Sequence, residues 1–205
     1  MLHPSHASFF IVTGPIERSI DLTNYPHLTG DYGDFDGWKS LVSSGNDIQP
    51  HSKTHRPFSR LSIEDQEIEI RHSLEFVRRI HDGPYIFCYP YNDVPVSRPV
   101  VKELSACGFR ATDIPNDATV NLLTNGLEFF DLQSWAVKQG NFDLILRHLA
   151  EVPDNAWVVL GLHSLNGEGY EPLTSDQLSK LLGAARQLNY EIVTVSQMVR
   201  MQKSD

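Results

Sequence analysis

Cysteine is almost missing from this chain: Cys88 and Cys107 are the only two among 205 residues. Their separation excludes a C-x-x-C redox or zinc motif, and two thiols are too few for a disulfide framework, so both are read as buried thiols. No run of about 18 apolar residues occurs, which excludes an apolar membrane-crossing helix. Positive charge is also scarce. Lys and Arg total 17 against 26 Asp and Glu, the formal net charge is −9, and no basic block exceeds the pair Arg78 and Arg79. That leaves no surface to neutralise a phosphate backbone, so nucleic acid is not expected as a partner. The start, "MLHPSHASFFIVTG", lacks the basic residues and small-residue cleavage site of a secretory leader, which tilts the compartment slightly toward the cytoplasm.

Hydrophobic residues make up 40% and charged residues 21%, an ordinary globular balance, and the length suits a single domain over 1–205. "SFFIVTG" reads as a buried strand, followed by a long loop over 15–34. "FDGWKSLVSSG" reads as a helix ended by Gly45, and "NDIQ" as a strand. Ser62 and Asp65 open a helix that Gly83 closes, with Ile70, Leu74, Val77 and Ile80 as its apolar stripe. "YIFCYP", "FRAT", "LEFFDL", "WVVLGLH" and "YEIVTV" read as further strands. "SRPVVKELSACG", "NFDLILRHLAEV", "TSDQLSKLLGAARQLN" and the C-terminus read as helices. This alternation predicts parallel β/α units, arranged as an open doubly wound sheet or a barrel.

In such folds the loops after the carboxyl ends of strands gather the chemistry. Three stretches fall there. In "DIQPHSKTHRPF", His51 and His55 lie four apart between Pro50 and Pro57. The prolines leave room for little more than one helical turn, in which residues four apart face the same way, so the imidazoles can share one cation such as Zn²⁺. In "FCYPYND", Tyr89 and Pro90 can form a cleft wall and the Tyr91 N–H can serve an oxyanion. His163 ends a strongly apolar strand, where an imidazole can protonate a leaving group near neutral pH.

These stretches resemble the polysaccharide deacetylase family of carbohydrate esterases. "HSKTH" matches its H-[ST]-x-x-H metal motif, and "SFFIVTG", "YPYND" and "LGLHS" are similar to other family segments in the same order. The resemblance implies an incomplete or distorted (β/α) barrel and a divalent metal, usually zinc. It implies His51 and His55 as metal ligands, the Tyr91 amide as oxyanion donor and His163 as general acid. Leu160 or Leu162 would line an acetyl-methyl pocket, Trp135 would contact substrate, and the substrate would be an N-acetylated carbohydrate. Two departures accompany these matches. The family's T-F-D-D segment, which supplies a third ligand and the catalytic base, has no counterpart before "ASFF", and Cys88 stands where the family has an arginine. The expectation is therefore a chain without its first strand and weak in catalysis, which an N-terminal extension bearing an aspartate pair would restore. Asp31, Asp34, Asp36 and Asp93 are read as loop or helix-start acids. Two other readings remain: a noncatalytic carbohydrate-binding relative, and a hydrolase of a non-sugar C–N amide bond.

Overall fold

The computed structural model describes residues 5–93, 109–112, 119–123, 127–167 and 169–203. The helix expected at "SRPVVKELSACG" lies outside them, as does Cys107. The chain divides into two compact units, one made of residues 1–109 with 193–205 and the other of 110–192.

The first unit is built on two parallel strands, β1 (Ser8–Ile11) and β2 (Asp47–Pro50), in register from Ser8 opposite Asp47 to Ile11 opposite Pro50. The crossover between them carries α1 (Thr13–Ile16) and α2 (Phe35–Ser43). Residues 15–34 are therefore not wholly loop, because Pro15 and Ile16 end α1 and Leu22–Asn24 form a 3₁₀ turn. The Asp34 carboxylate caps α2 by accepting from the Gly37 N–H at 2.8 Å. Beyond its C-terminus, Gly45 takes a φ of 91°, and a Cβ there would meet the His6 ring at 2.6 Å. Helix α3 (Ile63–Arg78) starts where Ser62 accepts from the Asp65 N–H at 3.1 Å. It ends five residues before Gly83, so that glycine closes the following turn rather than the helix.

Helix α3 is the spine of this unit, because its apolar stripe serves two clusters. Ile70 and Leu74 pack with Phe58, Phe87 and Tyr89, while Phe76 and Val77 join Ile80, Ile11 and Ile48. Each such side chain, fully buried, contributes about 1.5 to 3 kcal/mol. The N-terminal ends of the strands are held by buried polar groups. Asp47 accepts from the hydroxyls of Ser8 and Ser196, each at 2.8 Å, and Gln49 donates to Ser196 Oγ at 2.9 Å. Ser196 belongs to the C-terminal helix α6 (Val195–Lys203). "YIFCYP" is extended but irregular. Cys88 forms a single parallel bridge with Phe109, and the flanking backbone bonds are long, at 3.2 to 3.4 Å.

The strands β3 (Phe109–Thr112), β5 (Leu132–Ala136) and β7 (Leu160–Gly161) form one sheet in the order β3-β5-β7, of which all but Phe109 belongs to the second unit. Strands β5 and β7 are parallel, with Trp135 opposite Leu160. A small antiparallel pair joins β4 (Asn121–Leu122) to β6 (Ala156–Trp157). Helix α4 (Phe142–Leu149) turns Phe142, Ile145 and Leu149 into a core with Trp135, Val137, Leu173 and Leu181, the last from α5 (Ser175–Gln187). Thr174 and Gln177 cap α5 reciprocally, at 3.1 and 2.9 Å.

Three further expected strands differ. "LEFFDL" turns at Phe129 and Phe130, and the strand begins only at Leu132. The Asn121 side chain explains that start: its amide donates to the carbonyls of Gln133 and Trp157, and its oxygen accepts the Gln133 N–H. "WVVLGLH" is split, because Trp157 pairs in one ladder and Leu160 in another. "YEIVTV" makes no strand; Thr194 instead accepts from the Gln197 N–H at 3.2 Å at the start of α6. The architecture is mixed α/β, and no sheet closes on itself among the described residues.

Candidate functional site

Strand β2 hands the chain to the histidine loop through one more ladder bond, from the His51 N–H to the Ile11 carbonyl at 2.9 Å. The chain then bends without forming the expected helical turn. Ser52 and His55 take φ of 68° and 54°, a left-handed conformation uncommon outside glycine. The carbonyls that would accept within a helix are used elsewhere: Ser52 O accepts from Thr13 N at 3.2 Å and Lys53 O from Gly14 N at 2.9 Å. Gly14 is needed for that approach, since a Cβ would lie 2.6 Å from Lys53 O. The Ser52 hydroxyl accepts the His55 N–H at 2.9 Å. From α3, the buried Glu69 carboxylate accepts from the Thr54 N–H at 2.7 Å, from the Thr54 hydroxyl, and from Arg56 Nη2 at 3.2 Å.

This loop brings His51 and His55 together, with Nε2 atoms 3.1 Å apart. His51 Nδ1 lies 2.7 Å from the Cys88 carbonyl, which can only accept. In the neutral ring Nδ1 is therefore protonated and Nε2 keeps its lone pair, the arrangement in which an imidazole ligates metal. His55 Nε2–H then donates to His51 Nε2, and a cation would take the place of that proton. Two nitrogens each about 2.0 to 2.1 Å from a tetrahedral ion lie about 3.3 to 3.4 Å apart, so the pair fits a shared divalent cation with little adjustment.

No third His, Cys, Asp or Glu joins the pair as a metal-binding group among the described residues. The acids expected in loops and at helix starts are engaged locally. Asp31 accepts from Gly33 N at 2.9 Å, Asp34 caps α2, and Asp93 accepts from the N–H and hydroxyl of Ser59 at 2.7 and 2.6 Å.

Tyr89 and Pro90 are buried, Tyr89 in the α3 core. Tyr91 is 56% exposed, with φ 56°, and its ring centroid lies 4.8 Å from that of His55. It is Tyr91, rather than Tyr89, that presents an aromatic surface beside the pair. Burial pushes the Cys88 thiol up to about 12, so where the family carries an arginine this chain places a neutral group.

In the second unit His163 follows β7, its ring edge-on to Tyr170 with centroids 5.4 Å apart. Although the residue is exposed, partial desolvation by its neighbours lowers its pKa below the usual value, and Lys138 lowers it further, while Glu171 acts in the opposite direction. Leu162 is exposed. Trp135 is 1% exposed and its indole N–H donates to the Thr119 carbonyl at 2.8 Å, which places it in the core rather than on a surface open to a sugar.

Several residues here carry no sequence signal of their own. His27 sits in the irregular stretch before α2, donates from Nε2 to the Thr54 carbonyl at 2.9 Å, and lies 6.4 Å from His55 between ring centroids. Glu69 reads as one charge on a solvated helix face, although its only visible clue is its place one residue before the apolar Ile70.

Residues 3–112, more than half of the chain, match the family model described as Polysaccharide deacetylase. The chain belongs to the polysaccharide deacetylase family. No curated protein matches the sequence. Among solved structures it is similar to the Bc1960 peptidoglycan N-acetylglucosamine deacetylase, at 16% identity and a TM-score of 0.59, covering 95% of this chain and 75% of that one. It is also similar to the chitin deacetylase of Colletotrichum lindemuthianum, at 16% identity and a TM-score of 0.57, covering 94% and 75%. A third is the peptidoglycan deacetylase PdaC of Bacillus subtilis, at 16% identity and a TM-score of 0.53, covering 98% and 80%. Likeness at this identity establishes the fold, an α/β architecture shared with these deacetylases.

Proposed function

We propose that this member of the polysaccharide deacetylase family is a metal-dependent hydrolase that removes N-acetyl groups from a carbohydrate, with His51 and His55 as ligands of one divalent cation, Zn²⁺ first. The observation that carries the reading is the Nε2 separation of 3.1 Å, with His51 fixed in its ligating tautomer by the Cys88 carbonyl. A cation so held supplies Lewis acidity toward a carbonyl oxygen and lowers the pKa of a water. The chain's own groups divide the rest of the work. The Cys88 carbonyl and Ser52 hydroxyl keep the rings aimed, and the Tyr91 N–H donates to the oxygen that becomes negative as the amide carbon turns tetrahedral. His163 gives its proton to the departing amine nitrogen, a role in which it must be charged before the step and neutral after it. The exposed Tyr91 and Leu162 are the surfaces offered to the sugar and to its acetyl methyl group.

The test is acetate release from N-acetylglucosamine oligomers with added Zn²⁺, comparing the parent chain with His51→Ala. With no base beside the pair, the reading expects slow release by the parent, about 10² to 10⁴ below a complete site, and a further fall in the variant. Equal rates would contradict it.

A second reading, a noncatalytic carbohydrate binder, is favoured by one observation: among the described residues no carboxylate joins the histidine pair to act as base. Losing a general base lowers rates by about 10² to 10⁴. Binding of the same oligomers without acetate release, and without dependence on His51, would select this reading.

A further inference from the structure

The second unit holds a cluster of charged and aromatic groups around His163 that the scheme above leaves unused. Lys138, two residues past the end of β5, points its Nζ at Glu171 Oε2 across 3.0 Å. Although it is a lysine, its side chain is only 16% exposed, whereas Glu171 is 44% exposed. The same ammonium lies 5.3 Å from the centre of the Tyr170 ring, within the range of a cation–π contact. Tyr170 in turn sets its ring against that of His163 at 83°. The carboxylate partner comes from a stretch bent by four left-handed residues, Asn166, Gly167, Gly169 and Glu171, of which two are not glycine. That stretch is closed at its base by the bridge between Leu165 and Leu173 and by bonds of 2.8 and 2.9 Å between Asn166 and Ser175.

A half-buried lysine is retained where a specific anion and ring receive it, since burying an unpaired ammonium is strongly unfavourable. Here both receivers are adjacent in sequence and one of them touches His163. We propose that Lys138 and Glu171 are positioning residues for His163: the pair clamps the Tyr170 ring against the imidazole and sets the balance of charge the imidazole faces. This rests on the reading of His163 as proton donor.

Geometry and electrostatics agree on the direction. Among the described residues, Lys138 and Glu171 are the charged groups that act on His163, with opposite signs. Lys138 disfavours the imidazolium and Glu171 favours it, so each removal moves the proton affinity in its own direction. A purely structural pair would not do this, because breaking it from either side would disturb the loop in the same way. A stronger acid releases its proton more readily, but only below its pKa is it present to do so. The pair thus fixes where that compromise falls.

The experiment is an NMR titration of histidine-labelled full chain, with His163 assigned by His163→Gln. Lys138→Met is expected to raise the His163 midpoint, Glu171→Gln to lower it, and Lys138→Arg to restore the parent value. If Lys138→Met does not fold, the exposed Glu171→Gln carries the test alone. Midpoints that stay fixed in folded variants, or that move in the same direction, overturn the proposal. In parallel, the alkaline fall of acetate release should follow each midpoint. If the midpoints move as expected while the parent releases no acetate, the charge pair stands and the deacetylase reading is what fails.

Discussion

The two histidine loops of this protein solve the same problem in opposite ways. The loop of His51 and His55 is held from inside: Glu69, 1% exposed, binds two groups of Thr54 and one of Arg56, and the bend uses left-handed Ser52 and His55. The loop of His163 is held nearer the surface, by a mostly buried lysine and a glutamate that is 44% exposed. An interior clamp fixes two nitrogens relative to each other, as a metal site requires. A surface clamp adds little rigidity but places adjustable charge beside a titrating ring, which suits a proton donor. Left-handed non-glycine residues occur in both loops, the kind of strain that persists where surrounding bonds over-determine the backbone.

The contrast is broken most directly by removing the two glutamates. Glu69→Ala strands the N–H and hydroxyl of Thr54 in a buried site and should destabilise the first unit by about 2 to 5 kcal/mol, the cost of two unsatisfied groups. Urea unfolding with an unchanged slope would measure it. Glu171→Ala should cost less, about 1 to 3 kcal/mol, because Glu171 is itself 44% exposed and the Lys138 ammonium keeps the Tyr170 ring. Equal losses would erase the distinction.

Trp135→Ala is expected to destabilise the second unit by about 3 to 5 kcal/mol, since it empties a core position and removes a bonded indole. An unchanged stability with weaker oligomer binding would instead make Trp135 a cleft residue.

Much of this was legible in the chain, and the part that was not has identifiable causes. The cap at Ser62, the α3 stripe and the H-x-x-x-H spacing are local signals, and each appears where the residues point. The closeness of His51 and His55 arises by another route than the helical turn their spacing suggests, because the Ser52 and Lys53 carbonyls are taken by Thr13 and Gly14, which are distant in sequence. "YEIVTV" has strand composition, yet Thr194 is drawn into capping α6. Glu69 and Lys138 look like solvated charges; only the partners brought by folding make them otherwise.

The pH response sharpens the comparison further. Burial, then Lys53, holds His72 below its ordinary value, with Glu17 opposing. His163 is lowered as well. Both folded-state values lie below the unfolded 6.5, so the folded protein binds fewer protons in that window. Their contribution to stability is full above pH 6.5 and is lost as the pH falls from there through the folded values. Unfolding midpoints measured on either side of pH 6.5 should show it, and His72→Gln should reduce the acid-side loss.

A smaller effect is expected from His51→Ala on stability. It removes the bonds to the Cys88 carbonyl and to His55 Nε2 and should cost about 1 to 2 kcal/mol.

The central claim, that His51 and His55 hold one divalent cation, is tested most directly by Zn²⁺ titration calorimetry on the full chain and on His51→Ala and His55→Ala. The account predicts one site in the parent that either substitution abolishes while the fold persists. Zn²⁺ bound with the same stoichiometry and affinity by all three proteins would contradict it.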